Sequence, residues 1–68
     1  MPRYIADCKG FTTGEYSADS DTAAWRYALD WARETFSNAR DGIVEVWDVR
    51  SDTLLRSAFL EEVGIGRR

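Results

Sequence analysis

Residues 20–38 have the sequence SDTAAWRYALDWARETFSN and form the only long helix predicted for this 68-residue chain. On a helical wheel the polar side chains fall in one narrow arc, which contains Arg26, Asp30, Arg33, Glu34 and Ser37. Most other positions are apolar, so we expect more apolar helix surface than one sheet can cover. Ser20 is the predicted N-cap, because its hydroxyl can accept a hydrogen bond from a free backbone N–H. Asn38 and Gly42 are alternative ends.

Four shorter segments around this helix have the composition of strands. Residues 3–9 alternate in polarity, and residues 15–18 resume an extended pattern after residues 10–14 (GFTTG), which have turn residues at both ends. These segments predict a hairpin with a loose or bulged connection. After the helix, residues 43–50 are rich in valine, isoleucine and tryptophan, and residues 53–59 are predicted to run back beside them. The order ββαββ predicts an α+β fold with two layers, one α-helix packed on a four-stranded antiparallel sheet.

Chain length limits how such a domain is stabilised. We predict a single domain over residues 1–63 and a flexible tail over residues 64–68. A domain of this size buries only about 60% of the surface that its unfolded chain exposes, and small domains often add disulfides, a metal or a partner chain. Cys8 is the only cysteine and histidine is absent, so no disulfide, metal or cofactor is expected. Binding to another chain remains.

The location is predicted from what the sequence does not contain. The first ten residues, MPRYIADCKG, have no apolar signal-peptide core. No run approaches the roughly 20 apolar residues of a membrane span. We therefore predict a cytoplasmic protein that does not interact with membranes, in which a lone thiol stays reduced.

The third predicted strand has apolar side chains on both faces. Val44 and Val46 point one way, whereas Ile43, Trp47 and Val49 point the other. We favour the valine row as the one beneath the helix, although alternation alone leaves the reverse choice open. Either choice leaves a strip of large or branched side chains uncovered, and such strips usually mark interfaces.

Tryptophan and arginine are frequent anchors of protein interfaces. We therefore predict partner contacts first at Trp47 with Arg50 and Arg56 flanking it, and next at Trp25 and Arg26 on the helix. These residues predict a non-enzymatic protein-binding module that docks on a larger protein or protein–nucleic acid complex. Pairing with a second copy is expected as well.

An enzyme is not expected, and no catalytic residue is assigned. Without histidine, the usual base beside a serine or cysteine nucleophile is missing, and Cys8 is expected to be a half-buried strand residue. Carboxylate pairs remain as candidates for acid–base chemistry, namely Glu45 with Asp48 and Glu61 with Glu62. Such chemistry needs a pocket that raises one pKa, and one helix on one sheet offers little concavity.

The alternative function is a nucleic-acid-binding accessory or regulatory protein. It would use an arginine patch composed of Arg50, Arg56, Arg67 and Arg68. The formal net charge of −3 is spread along the chain, so direct nucleic-acid binding is not favoured. Salt separates the two functions, because phosphate contacts make affinity fall steeply with ionic strength, whereas an apolar interface responds little.

The order and length of the elements resemble those of small proteins of phages and mobile elements, including several anti-CRISPR proteins. The shared features are the strand YIADC at residues 4–8, a hairpin leading to Ser20, the Ala-rich helix, and the hairpin GIVEVWDVRSDTLLRSAF at residues 42–59. The resemblance implies an inhibitor that occupies a surface of a larger complex, such as a CRISPR effector, in the host cytoplasm. It assigns no residue a role, because no binding motif is matched.

Overall fold

Four antiparallel strands and one helix make up the structure, a computed structural model that describes residues 1–37 and 41–65. In chain order the elements are β1 (Arg3–Cys8), β2 (Phe11–Ser17), α1 (Asp21–Thr35), β3 (Ile43–Asp48) and β4 (Thr53–Phe59). The strands form one sheet in the order β2-β1-β3-β4, and each neighbouring pair is antiparallel. The predicted α+β fold with the order ββαββ is confirmed.

Helix α1 begins where the sequence predicts. Ser20 has an extended backbone, and its hydroxyl accepts a hydrogen bond from the backbone N–H of Ala23 at 3.1 Å. Asp21 places a negative charge in the first turn, where the free N–H groups make the helix end positive. The predicted N-cap is therefore confirmed.

The helix ends earlier than predicted. Its last residue is Thr35, and Phe36 leaves the helical conformation with φ −123° and ψ 40°. The Phe36 ring turns onto the sheet, where its centroid lies 5.8 Å from that of Phe11. Gly42 precedes β3 and does not end the helix, whereas Asn38 lies outside the described residues.

The first hairpin is tighter than predicted. Lys9 and Gly10 both have positive φ, 54° and 83°, which is the conformation of a two-residue type I′ turn. Strand β2 therefore begins at Phe11, so the prediction of a loose connection over residues 10–14 is wrong, whereas a bulge does occur in this stretch. Lys9 belongs to this turn and not to β1.

A β-bulge explains why turn residues lie inside β2. Ile5 pairs with Glu15 and Asp7 pairs with Thr12, so β2 has one more residue than β1 over this interval. The extra residue is accommodated by Gly14, which has φ 75°. The hydroxyl of Thr13 accepts a hydrogen bond from the backbone N–H of Ala6 at 3.1 Å. This bond replaces the backbone hydrogen bond between the strands that is lost at the bulge.

The second hairpin matches the prediction in β4 but not at the end of β3. Strand β3 stops at Asp48, two residues before the predicted end. A carboxylate oxygen of Asp48 accepts the backbone N–H groups of Arg50 at 2.9 Å and Ser51 at 3.4 Å. This local hydrogen bonding closes the turn.

The hydrophobic core lies between α1 and one face of the sheet. Three helix alanines, Ala24, Ala28 and Ala32, are completely buried and allow the helix backbone to approach the strands closely. The strand side chains opposite them are Tyr4, Ala6, Cys8, Val44 and Val46. The favoured orientation of β3, with its valine row beneath the helix, is therefore confirmed.

The segment after β4 belongs to the core. Leu60 is fully buried and Ile65 is 1% exposed, and the backbone N–H of Ile65 donates to the carbonyl of Leu60 at 2.9 Å. The prediction of a flexible tail from residue 64 onward is therefore wrong at Ile65. Arg67 and Arg68 lie outside the described residues.

The apolar surface of α1 is used more completely than predicted. Trp25 and Phe36 are buried, and Leu29 and Trp31 are half-buried against the core. Tyr27 is the exception at 50% exposed. The expected excess of outward-facing apolar helix surface is therefore mostly wrong. Within the described residues, α1 lacks the length and apolar character of a helix that crosses a membrane.

Candidate binding face

The sheet face opposite α1, which we call the open face, has large apolar side chains. Ile5, Trp47 and Leu54 are in register across β1, β3 and β4, and Ile43 is in register with Phe59. We call these five residues the open-face cluster. None of them belongs to the core or to the partly buried residues packed against it.

Exposure shows that the described part of the chain leaves this cluster largely uncovered. Phe59 is 59% exposed, and Ile43 and Leu54 are each 41% exposed. Ile5 and Trp47 are half-buried, because each has neighbours on both adjoining strands. No helix or strand among residues 1–37 and 41–65 packs on this face. The surface therefore has the composition of an interface.

An acidic row crosses the open face between its two apolar rows. Asp7 and Glu45 are directly opposite each other on β1 and β3, and like charges in this arrangement are unfavourable. Partial burial, and then the neighbouring Asp7 carboxyl through a hydrogen bond and its charge, raise the pKa of Glu45. Ion pairs in the described residues involve other carboxylates. Among the described residues, neither Asp7 nor Glu45 forms an ion pair.

A shallow cleft of about 280 Å³ lies at one end of the open face. Its lining combines apolar and acidic side chains, from Ile5, Asp7, Trp47, Asp48, Val49 and Asp52. None of these residues is basic. An indole ring, branched apolar groups and carboxylates together can bind a side chain that has a cationic group at the end of an aliphatic chain.

The structure separates the predicted contact residues. Trp47 lies on the open face as expected, and Arg50 is exposed at the turn after β3. Arg50 lines a different cleft, of about 530 Å³, together with Arg3. Arg26 is exposed on the solvent side of α1.

Arg56 lies on the opposite face of the sheet from Trp47. A bulge in β4 causes this, because Trp47 pairs with Leu54 while the adjacent Val46 pairs with Arg56. Leu55 is the extra residue, so the alternation of side chains reverses between Leu54 and Arg56. The prediction that Arg56 flanks Trp47 is therefore wrong.

Arg56 instead packs on the helix side. Its guanidinium carbon lies 5.0 Å from the ring centroid of Trp25, a cation–π distance. Trp25 is 8% exposed in the core, so its side chain is not available at the surface. We therefore omit both residues from the candidate contact surface.

The candidate catalytic groups are not arranged as predicted. Glu45 faces Asp7, whereas Asp48 pairs with Tyr4 and holds the turn through its carboxylate. A carboxylate oxygen of Glu62 accepts the backbone N–H of Phe59 at 3.1 Å. No cluster of potential metal ligands occurs among the described residues.

Cys8 is a core residue, buried more deeply than predicted. Its side chain is almost fully enclosed. Burial is the largest cause that raises the pKa of its thiol. A protonated and enclosed thiol is a poor nucleophile.

Sequence reasoning missed Ile5, Asp7, Leu54 and Phe59 as members of this surface. Alternation in residues 3–9 does place Ile5 and Asp7 on a common face. The missing information is the pairing of β1 with β3, which are separated by a strand and the helix along the chain. That long-range pairing brings Asp7 opposite Glu45.

Comparison with protein-family models, with curated proteins and with solved structures gives no match for this chain. The fold and the candidate face therefore define only a class, a small two-layer α+β domain with one open sheet face. Function must be inferred from the chemistry of that face.

Removing the charge of Glu45 (Glu45→Gln) should stabilise the domain at pH 7. A carboxyl whose folded-state pKa is raised contributes stability below its ordinary pKa of 4.5, and that contribution is lost as the pH rises through the folded-state pKa. The gain at pH 7 should be about 0.2–1 kcal/mol, near the lower limit because water screens the pair. Urea unfolding at pH 7 and pH 4 measures it, and a gain as large at pH 4 would contradict the carboxylate pair. Glu34→Gln on the exposed helix face is the control.

Proposed function

We propose that this protein is a non-enzymatic protein-binding module whose contact surface is the open face. One observation carries the proposal: five large apolar side chains lie in two in-register rows on a face that no described element covers. A sheet is normally covered by a packed layer on each apolar face. In this domain α1 supplies one layer, and a partner protein supplies the other.

The partner is a larger protein or protein–nucleic acid complex that the domain occupies in the cytoplasm. Inhibition by occupation is the mode of action that this proposal favours, because a 68-residue chain with one open face can block a surface without any chemistry of its own. The resemblance to phage proteins of the anti-CRISPR type stays a prediction. Self-association through the same face is a competing outcome of the tests below.

The nucleic-acid alternative has weaker support. Arg50 lines a cleft with Arg3, whereas Arg56 stacks on Trp25 on the other face of the sheet. These arginines do not form one continuous basic surface, and the open face itself contains the Asp7 and Glu45 carboxylates. A phosphate backbone would be repelled there.

Replacing Trp47 by alanine (Trp47→Ala) should weaken binding to the partner by at least about tenfold and leave the fold intact. The indole is the largest member of the open-face cluster, and truncated tryptophans that act as hot spots at interface centres cost about 2 kcal/mol or more, which exceeds the roughly 1.4 kcal/mol of a tenfold change. The partner is first isolated from host lysate with the full chain and identified by mass spectrometry. Calorimetric titration of the purified partner then gives the dissociation constants.

The matched control is Tyr27→Ala, which removes an exposed aromatic ring from α1. Tyr27 lies on the helix side, where its ring stacks on Tyr16 with centroids 4.2 Å apart. We expect this variant to bind the partner with unchanged affinity. Equal losses for both variants, or no loss for Trp47→Ala, would contradict the open face as the contact surface.

A further inference from the structure

We propose that the open face recognises a partner segment in which one arginine stands between two large apolar side chains. The guanidinium binds the carboxylates of Asp7 and Glu45, and the apolar groups pack on the two rows of the open-face cluster. This inference rests on the proposed function and specifies the chemistry of the partner. It follows from three features of the face.

The first feature is the charge of the acidic row. Asp7 and Glu45 are opposed in register, a pairing that is unfavourable on its own. The two bases nearest to Asp7 along the chain have other partners, because Lys9 contacts Asp41 at 3.0 Å and Arg3 contacts Glu15 at 3.4 Å. A cation supplied by a partner would remove the repulsion and form charge-assisted hydrogen bonds with both carboxylates.

The second feature is the cleft beside this row. Trp47 and Ile5 line it together with Asp7 and Asp52. An arginine side chain fits this lining better than a lysine, because its planar guanidinium can stack on the indole and bridge two carboxylates. Its aliphatic stem can pack on Ile5.

The third feature is the spacing of the rows. The apolar row of Trp47, the acidic row of Glu45 and the apolar row of Ile43 follow one another at every second residue of β3. Successive rows are therefore about 6.6 Å apart. A partner helix presents side chains at about 6 Å intervals with spacing i, i+4, i+8, and an extended partner does so with spacing i, i+2, i+4.

A second copy of this chain is a poorer occupant than such a segment. Packing two open faces together would bring two Asp7–Glu45 pairs into one interface. Like charges that meet across an interface disfavour the complex. The acidic row therefore favours a basic and apolar partner of different sequence.

The test uses a random 12-residue peptide library displayed on phage and selected on the full chain. We expect enriched sequences with an arginine and large apolar residues two or four positions away on each side. One enriched peptide and its counterpart with glutamine in place of arginine are then titrated by tryptophan fluorescence. The arginine peptide should bind about tenfold more tightly.

Variants of the protein complete a double-mutant cycle. The double variant Asp7→Asn with Glu45→Gln should lose about tenfold in affinity for the arginine peptide and no longer distinguish the two peptides. The control double variant, Asp30→Asn with Glu34→Gln, makes the same change in charge on the exposed side of α1. It should behave as the unmodified chain.

The outcomes separate this inference from the proposed function. Peptides that lose affinity with Trp47→Ala but show no arginine preference would overturn the inference and leave the proposed function standing. A dimer that dissociates with Trp47→Ala in sedimentation would also overturn it, because a second copy would then occupy the face. If no peptide is enriched, the inference fails and the proposed function still depends on the titration of the purified partner. If Trp47→Ala has no effect in that titration, both proposals fail.

Discussion

Replacing Ile65 by alanine (Ile65→Ala) is expected to lower the free energy of unfolding by about 2–5 kcal/mol. Ile65 is 1% exposed and packs in the core with Leu60, so the truncation leaves a cavity as well as losing apolar burial. A domain of 68 residues has a total stability of only roughly 3–10 kcal/mol. Loss of this one side chain therefore removes a large part of the stability of the domain.

The matched control for this variant is Ile43→Ala. Both substitutions remove the same atoms, but Ile43 lies on the open face and is 41% exposed. Its truncation should cost less than about 1 kcal/mol, mainly through lower strand propensity. Thermal and urea unfolding measure both values. Equally small losses of stability for Ile65→Ala and Ile43→Ala would mean that Ile65 is not part of the core. The flexible tail that the sequence predicts over residues 64–68 would then be correct.

The sequence was sufficient to predict those local features that depend only on residues a few positions apart. Ser20 as the N-cap follows from side-chain chemistry, and the inward row of Val44 and Val46 follows from alternation in β3. Fold class followed from the order of these elements.

Ile65 could not be predicted because its burial depends on tertiary packing. Residues 64–68 contain two glycines and two arginines, a composition typical of an exposed tail. A single isoleucine in such a segment belongs to no repeating apolar pattern, so the sequence does not indicate whether its side chain faces the core or the solvent. Its burial becomes evident only in the folded domain, where Ile65 and Leu60 both belong to the core.

The candidate site was predicted only in part, because two bulges interrupt strand alternation. In β4 the extra residue Leu55 moves Arg56 to the helix side, which removed one predicted contact from the open face. In β2 the extra residue beside Gly14 allowed turn residues to remain in a strand. A bulge changes the direction of every later side chain, and its position depends on pairing that a single strand sequence does not reveal.

Replacing Ala28 by leucine (Ala28→Leu) should destabilise the domain by overpacking the space between helix and sheet. Ala28 is completely buried between the helix and the sheet, and the small side chains there set how closely the two layers approach. Added methyl and methylene groups force the layers apart or require strained rotamers, at about 1–3 kcal/mol. For a domain of this size that loss lowers the melting temperature by at least about 4 °C.

The control for Ala28→Leu is Glu34→Leu, which introduces the same side chain on the exposed face of α1. Leucine and glutamate have similar helix propensity, so this variant should unfold within a few degrees of the unmodified chain. Calorimetry measures the melting temperatures of both variants. A normal melting temperature for Ala28→Leu would contradict the close approach of helix and sheet. Because this approach buries one sheet face and leaves Trp47 on the other, the same result would also remove the basis for assigning an open face.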